Sequence, residues 1–228
     1  MPIADEALFT HNGRYFTDLL SYVAIGARST ENAEHRYIAS GMDFAVGMKN
    51  PTSGDTDIGI NSVVAARHPH IFAVDGYQTE TRGNPHAHLI LRGGANGPNY
   101  STDHLLQSRE KMEKCSQLQG KNHSLIVDAS HDNLKDAYGK KDPLRQPDIV
   151  FSTLASMQEH AELRPVVTGW MVESFLKDGS QPCPVYPLPE GDKSLLKTDG
   201  LSITDPCISL QKLAGPIQEI AYALKQLS

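Results

Sequence analysis

His88-Leu89-Ile90-Leu91-Arg92-Gly93-Gly94, continued by Ala95-Asn96-Gly97-Pro98-Asn99-Tyr100 and Ser101, is the stretch from which the fold can be read. Leu89, Ile90 and Leu91 make a short, uninterrupted apolar run, the pattern of a strand covered on both faces. It stops at Arg92-Gly93-Gly94. A guanidinium at the tip of a buried strand needs an anion, and two residues without Cβ let backbone approach that anion closely. Ser101 then caps a helix carrying Leu105, Leu106, Met112 and Cys115 on one side and charges on the other. Strand, glycine-rich turn and helix form the repeat of an α/β protein.

Working outward, the repeat recurs. Residues 23–27 are apolar and end in Arg28, with Ser29 or Thr30 placed to cap a helix to about Ser40. Residues 44–48 end in Lys49-Asn50, and a helix rich in small residues follows over 58–67. Residues 71–74 read as a strand and 76–83 as an exposed hairpin or excursion. Residues 124–127 end in Asp128-Ala129-Ser130-His131; after a charged loop over 135–146, Pro147 opens a helix to about Leu163. Residues 166–172 end in Glu173-Ser174. At the amino end there is a weak strand remnant over 3–10 and a helix capped by Asn12, with Phe16, Leu19 and Leu20 inward. Pro182, Pro184, Pro187 and Pro189 exclude regular helix or central strand from the long loop over 177–200. An amphipathic helix with Leu213, Ile217, Ile220 and Leu224 closes the chain, which reads as one domain over residues 1–228.

Five apolar runs thus end in Arg28, Lys49, Arg92, His131 and Glu173, and Asp205 lies in a turn after the last loop. Parallel α/β folds build their sites at that edge of the sheet. The three cations suit a phosphate or carboxylate, and one imidazole with two carboxylates suits a divalent transition metal with coordination positions left open. Taken singly, each residue has a plainer role: a strand-end arginine in a surface ion pair, His131 as a capping histidine, Glu173 beside a lysine. His86, His88 and His104 read as structural or surface residues, and Cys207 as packing. It is the repetition that favours a joint site.

Composition sets the bounds. The 228 residues are 39% hydrophobic and 21% charged, the make-up of an ordinary globular protein. A net charge of −6 without a basic patch argues against nucleic acid. No apolar run approaches the roughly 20 residues of a membrane span and no signal pattern opens the chain, so a cytoplasmic location is expected. Cys115, Cys183 and Cys207 suggest neither a disulfide framework nor a CxxC zinc site.

At these residues the chain resembles the class I 3-deoxy-D-arabino-heptulosonate 7-phosphate (DAHP) synthases. The matching stretches are 24–31, 46–50, 88–94 with Pro98-Asn99-Tyr100, 128–131, 171–174 and 202–207. The resemblance implies a (β/α)8 TIM barrel that joins phosphoenolpyruvate to erythrose 4-phosphate with a divalent metal (Mn, Fe, Co or Zn). It implies Arg28, Lys49 and Arg92 as substrate-binding cations, His131, Glu173 and Asp205 as three of four metal ligands, and Lys49 and His131 as catalytic residues. The family's Gly-Pro-Cys-Ser strand, with its cysteine ligand, and its Lys-Pro-Arg-Thr-Thr segment have no counterpart here. An incomplete barrel lacking about the first two strands is therefore expected, its open face covered by a second copy of the chain. The expected function is aldol-type chemistry on a phosphoenolpyruvate- or 2-oxo-acid-type anion, open to use in specialised metabolism. The competing expectations are a non-catalytic or complementing subunit of a DAHP synthase and a phosphate-ligand sensor.

Overall fold

The computed structural model describes residues 1–10, 18–74, 76–182 and 199–227. Asn12, Phe16, Cys183, Pro184, Pro187 and Pro189 lie outside them. Six strands form one sheet: β1 (Ile3–Glu6), β2 (Leu20–Ile25), β3 (Ala45–Lys49), β6 (His88–Leu91), β7 (Leu125–Asp128) and β8 (Val167–Met171). Every pairing is parallel and the order is that of the sequence, β1-β2-β3-β6-β7-β8. A doubly wound sheet would reverse its strand order at some point. This one does not, so right-handed crossovers place the connecting helices on one face, as in a barrel wall. Among the described residues the sheet has six strands, the wall of an incomplete (β/α) barrel.

The connecting helices are α1 (Ala33–Ser40), α2 (Thr56–Arg67), α3 (Thr102–Lys114), α4 (Gln146–Glu159) and α5 (Leu210–Leu227). Ser101 caps α3 as expected, its hydroxyl accepting from the His104 N–H. The cap of α1 is Asn32 rather than Ser29 or Thr30: its side chain accepts from the His35 N–H, while Ser29 and Thr30 lie in a turn before the helix, their N–H groups donating to the Gly26 carbonyl. Gln146 rather than Pro147 begins α4, and the helix stops at Glu159. There Arg164 turns back to donate through Nε to the Met157 carbonyl, and a separate short 3-10 turn, Ala161–Leu163, follows. In α5, Leu213 is buried and Ile220, Ala223 and Leu227 pack against the core, while Ile217 and Leu224 are exposed. The strand expected over 71–74 does not join the main sheet: β4 (Ile71–Val74) pairs antiparallel with β5 (Tyr77–Glu80), which lies within the excursion expected over 76–83. Two further short strands, β9 (Ser174–Phe175) and β10 (Ile208–Ser209), pair in parallel and bring the turn carrying Asp205 back beside the tip of β8.

Leu89, Ile90 and Leu91 are fully buried, as are Val46, Met48, Leu125 and Val127 on the flanking strands. His88 opens β6 at the opposite edge of the sheet from the tips. Its Nδ1 is 2.9 Å from the His86 carbonyl, which can only accept, so Nε2 accepts from the Tyr22 hydroxyl at 2.8 Å. Burial above all holds the His88 imidazole below the usual histidine range; the hydrogen bond to the His86 carbonyl opposes it, and the nearby Arg67 charge adds to it. The unfolded chain therefore takes up a proton, near the ordinary histidine pKa of about 6.5, that the folded chain refuses. Stability is expected to fall as pH drops below that value, by at most ~1.4 kcal/mol per pH unit from this residue. Chemical denaturation of wild type and His88→Gln at pH 7.5 and 5.5 checks this: the variant should show the shallower pH dependence.

Candidate active site

The site begins with the registers. Glu6 pairs with Ala24, Lys49 with Ile90 and Asp128 with Met171, so the strand tips end at similar heights and their last residues meet. Arg28, Lys49, Arg92, His131, Glu173 and Asp205 all line one cavity of about 380 Å³ at that edge. All six candidates are brought together.

On the cationic side, Lys49 is 2% exposed, with its Nζ 3.4 Å from Asp128 Oδ2 and 3.7 Å from Glu6 Oε2. Arg92 donates through one terminal nitrogen to Asp132 Oδ2 at 2.6 Å, while its Nε is buried and has no partner among the described residues. Arg28 is exposed and lies at the cavity mouth. Burial alone would raise the Asp132 carboxyl, but Lys135 and Arg92 outweigh it and hold it below the usual carboxylate range.

On the ligand side, His131 Nδ1 sits 2.8 Å from Asp128 Oδ2, which leaves Nε2 facing Glu173 Oε1 at 3.7 Å and Asp205 Oδ2 at 3.9 Å. One donor atom from each of the three lies within 4.8 Å of the others. Complete burial of Asp128 would by itself raise its pKa, yet His131 above all, with Lys49 and the Ser130 N–H, keeps it ionised. A carboxylate that fixes one imidazole nitrogen and frees the other is the usual support of a metal-binding histidine. Glu173 accepts from the Ser130 hydroxyl, and Gln146 clamps its backbone from both sides, accepting from the Glu173 N–H at 2.7 Å and donating to its carbonyl at 2.8 Å. Asp205 Oδ1 accepts from Lys141 at 2.7 Å. One imidazole nitrogen and two carboxylates at these separations fit a divalent transition cation of the Mn, Fe, Co or Zn group.

Two features revise the sequence reading. The glycines after Arg92 make room for neighbouring loops rather than for an anion. A Cβ on Gly93, whose φ is 75°, would lie 2.5 Å from the Asp132 carbonyl carbon, and one on Gly94 would lie 2.2 Å from the Gly54 Cα. His131 has a φ of 54°, in the left-handed region, and the Asp132-Asn133 backbone that follows it packs against Gly93.

The second feature is a set of buried asparagines. Asn50 accepts from the Arg92 N–H at 2.9 Å and donates to the Gly93 carbonyl at 2.9 Å; Asn99 accepts from the Gly93 N–H at 2.7 Å and donates to Asn50 at 3.1 Å. Asn133 accepts from the Asn99 N–H and donates to the Leu91 and Asp128 carbonyls. The network ties the tips of β3, β6 and β7, and so fixes Arg92 against His131. Asn50→Ala strands several buried groups at roughly 1–3 kcal/mol each. At about 2–4 °C per kcal/mol for a chain of this size, scanning calorimetry should show a melting temperature lower by several degrees or more.

The fold is an incomplete (β/α) barrel whose parallel strands bring Arg28, Lys49 and Arg92 together with a His-Glu-Asp cluster at their carboxyl edge. The sequence profile of the DAHP synthetase I family matches residues 1–214, and the chain belongs to that family. It is 36% identical over 99% of its length to the tyrosine-inhibited phospho-2-dehydro-3-deoxyheptonate aldolase of Schizosaccharomyces pombe. It is 38% identical over 96% of its length to the Tyr-sensitive phospho-2-dehydro-3-deoxyheptonate aldolase of Salmonella typhimurium. In each case it spans 58% of the relative's length. The solved phospho-2-dehydro-3-deoxyheptonate aldolase of Francisella tularensis superposes with a TM-score of 0.78 at 31% identity, covering 100% of this chain and 62% of that one.

Of the residues that line or support this cavity, Asp128, Glu6, Gln146 and Lys141 are not among the sequence candidates. Asp128 stands inside a quoted motif, and its spacing from His131 was the available signal. Lys141 lies in a segment read only as a charged loop, and nothing local shows that it reaches Asp205. Among the described residues no helix is long and apolar enough to cross a membrane.

Proposed function

We propose that the chain carries the phosphoenolpyruvate-and-metal part of a DAHP synthase-type aldol condensation. The observation that carries this reading is the convergence of three cations and a His-Glu-Asp triad on one cavity. Arg28, Lys49 and Arg92 supply the positive field for the phosphate and carboxylate of phosphoenolpyruvate, Arg92 by its planar fork and Lys49 as a buried point charge. His131 Nε2, Glu173 and Asp205 would hold the divalent cation, which supplies Lewis-acid polarisation of the acceptor's carbonyl oxygen. The bond formed joins C3 of phosphoenolpyruvate to the acceptor aldehyde carbon; water adds at C2 and inorganic phosphate leaves. Lys49 and His131 are the residues we assign to the chemistry: Lys49 would balance the negative charge of the enol phosphate, and Asp128 holds His131 so that its Nε2 faces Glu173 and Asp205. Calorimetric titration of metal-loaded protein with phosphoenolpyruvate, beside an assay of its consumption with and without erythrose 4-phosphate, tests the reading. Binding of phosphoenolpyruvate by the metal-loaded protein is expected, and the two assay arms show whether erythrose 4-phosphate is the acceptor; absence of binding would overturn the reading.

A second copy of the chain is the partner that best suits the open face. β1 has no described strand on its outer side, and Ile3, Leu8 and Leu19 are more than half exposed beside it. Sedimentation velocity should give a dimer or higher oligomer; a monodisperse monomer would refute this, and activity only with an added full-length synthase would favour a complementing subunit.

A further inference from the structure

At the opposite edge of the sheet, three segments distant in sequence converge on a cleft of about 610 Å³: the end of α2 at Arg67, the loop carrying Arg82, Gly83, Pro85 and His86, and Lys121-Asn122 before β7. The convergence is built. Gly83 has a φ of 83°, and a Cβ there would lie 2.3 Å from the Arg67 carbonyl oxygen, so only glycine lets the loop lie against the helix end. The Asn84 N–H donates to the Ala66 carbonyl at 2.9 Å, and its side chain donates to the Phe44 carbonyl at 2.8 Å.

Arg67 is the central group. It is 9% exposed, its Nε donates to the Ala87 carbonyl at 2.8 Å, and it lines the cleft. A guanidinium has five N–H donors, and this contact uses one. Among the described residues no carboxylate forms an ion pair with Arg67, Arg82 or Lys121, although the chain carries a net charge of −6. Arg67 stands in the last turn of α2, where the helix offers about half a negative charge. That does not offset three cations. A buried charge left without a counter-charge costs several kcal/mol, and desolvation indeed pulls Arg67 below the ordinary arginine value.

We propose that this cleft is a second anion site, distinct from the candidate active site, which takes a small phosphate-class oxyanion between Arg67, Arg82 and Lys121. The buried Arg67 supplies a fixed fork and the two exposed cations close over the ligand from separate loops. The site lies one strand length, roughly 13–17 Å, from the strand tips, so a ligand there would act on the active site only through the strands and through α2.

Isothermal titration with inorganic phosphate tests it, in wild type and in Arg82→Ala/Lys121→Ala. Both positions are exposed and outside the active-site machinery, so the fold should survive. The double variant should bind one phosphate fewer per chain, or bind it at least about tenfold more weakly, with any phosphate at the strand tips unaffected. Equal stoichiometry and affinity in the two proteins would overturn the proposal. Arg67→Lys provides a second reading: with the charge kept and the fork lost, phosphate affinity at this site should still fall, and unchanged affinity would count against Arg67 as the anchor.

Discussion

Replacing His131 by asparagine is expected to abolish divalent-metal binding and turnover together. The choice of asparagine matters, because His131 has a φ of 54° and asparagine tolerates that region better than alanine does. The variant should keep its fold while losing the Nε2 that faces Glu173 and Asp205. Titration with Mn²⁺ should show affinity reduced by more than about 100-fold, beyond the range of 10–100-fold that follows loss of a group that only orients a ligand. Asp128→Asn should fall within that smaller range, since Asp128 touches Nδ1 rather than the metal position. The graded pair separates the ligand from its support. Wild-type metal affinity in His131→Asn would remove the metal triad from the proposed function, whatever the activity of the variant.

The same residues show how far the sequence could be read. Strand tips ending in Arg28, Lys49, Arg92, His131 and Glu173 were legible because a short buried strand must be apolar, and a charge that ends it stands out. The parallel order followed from alternation of strand and helix. What stayed hidden depends on pairing between distant tips. Asp128 looks like one more polar residue after a strand until the register sets it beside Lys49 and His131. Asn50, Asn99 and Asn133 were visible in the motifs, but their hydrogen bonds span up to 49 positions and no local pattern encodes them. Gly93 and Gly94 were assigned to a ligand when their missing Cβ atoms serve neighbouring backbone. The cap of α1 was misplaced by two or three residues because serine, threonine and asparagine all cap helices, and only the turn bonds to Gly26 choose among them.

Lys49→Met carries the other large expected effect, and it acts on stability and binding at once. The Lys49 ammonium is almost wholly buried beside a completely buried Asp128 carboxylate. Methionine keeps most of the length and removes the charge, leaving Asp128 with His131 and the Ser130 N–H. Breaking a buried pair from one side costs about 3–5 kcal/mol. At about 2–4 °C per kcal/mol the melting temperature should fall by roughly 6–20 °C. Phosphoenolpyruvate affinity should fall as well, because the cavity loses the most deeply buried of its cations. The double variant Lys49→Met/Asp128→Asn separates the two effects: with the orphaned charge gone, much of the stability should return, as expected of groups in contact. Anion binding should not return, because the asparagine replaces none of the positive field. A double variant that regained both would assign the binding loss to the stranded carboxylate, and Lys49 would then be a structural counter-ion rather than part of the binding site.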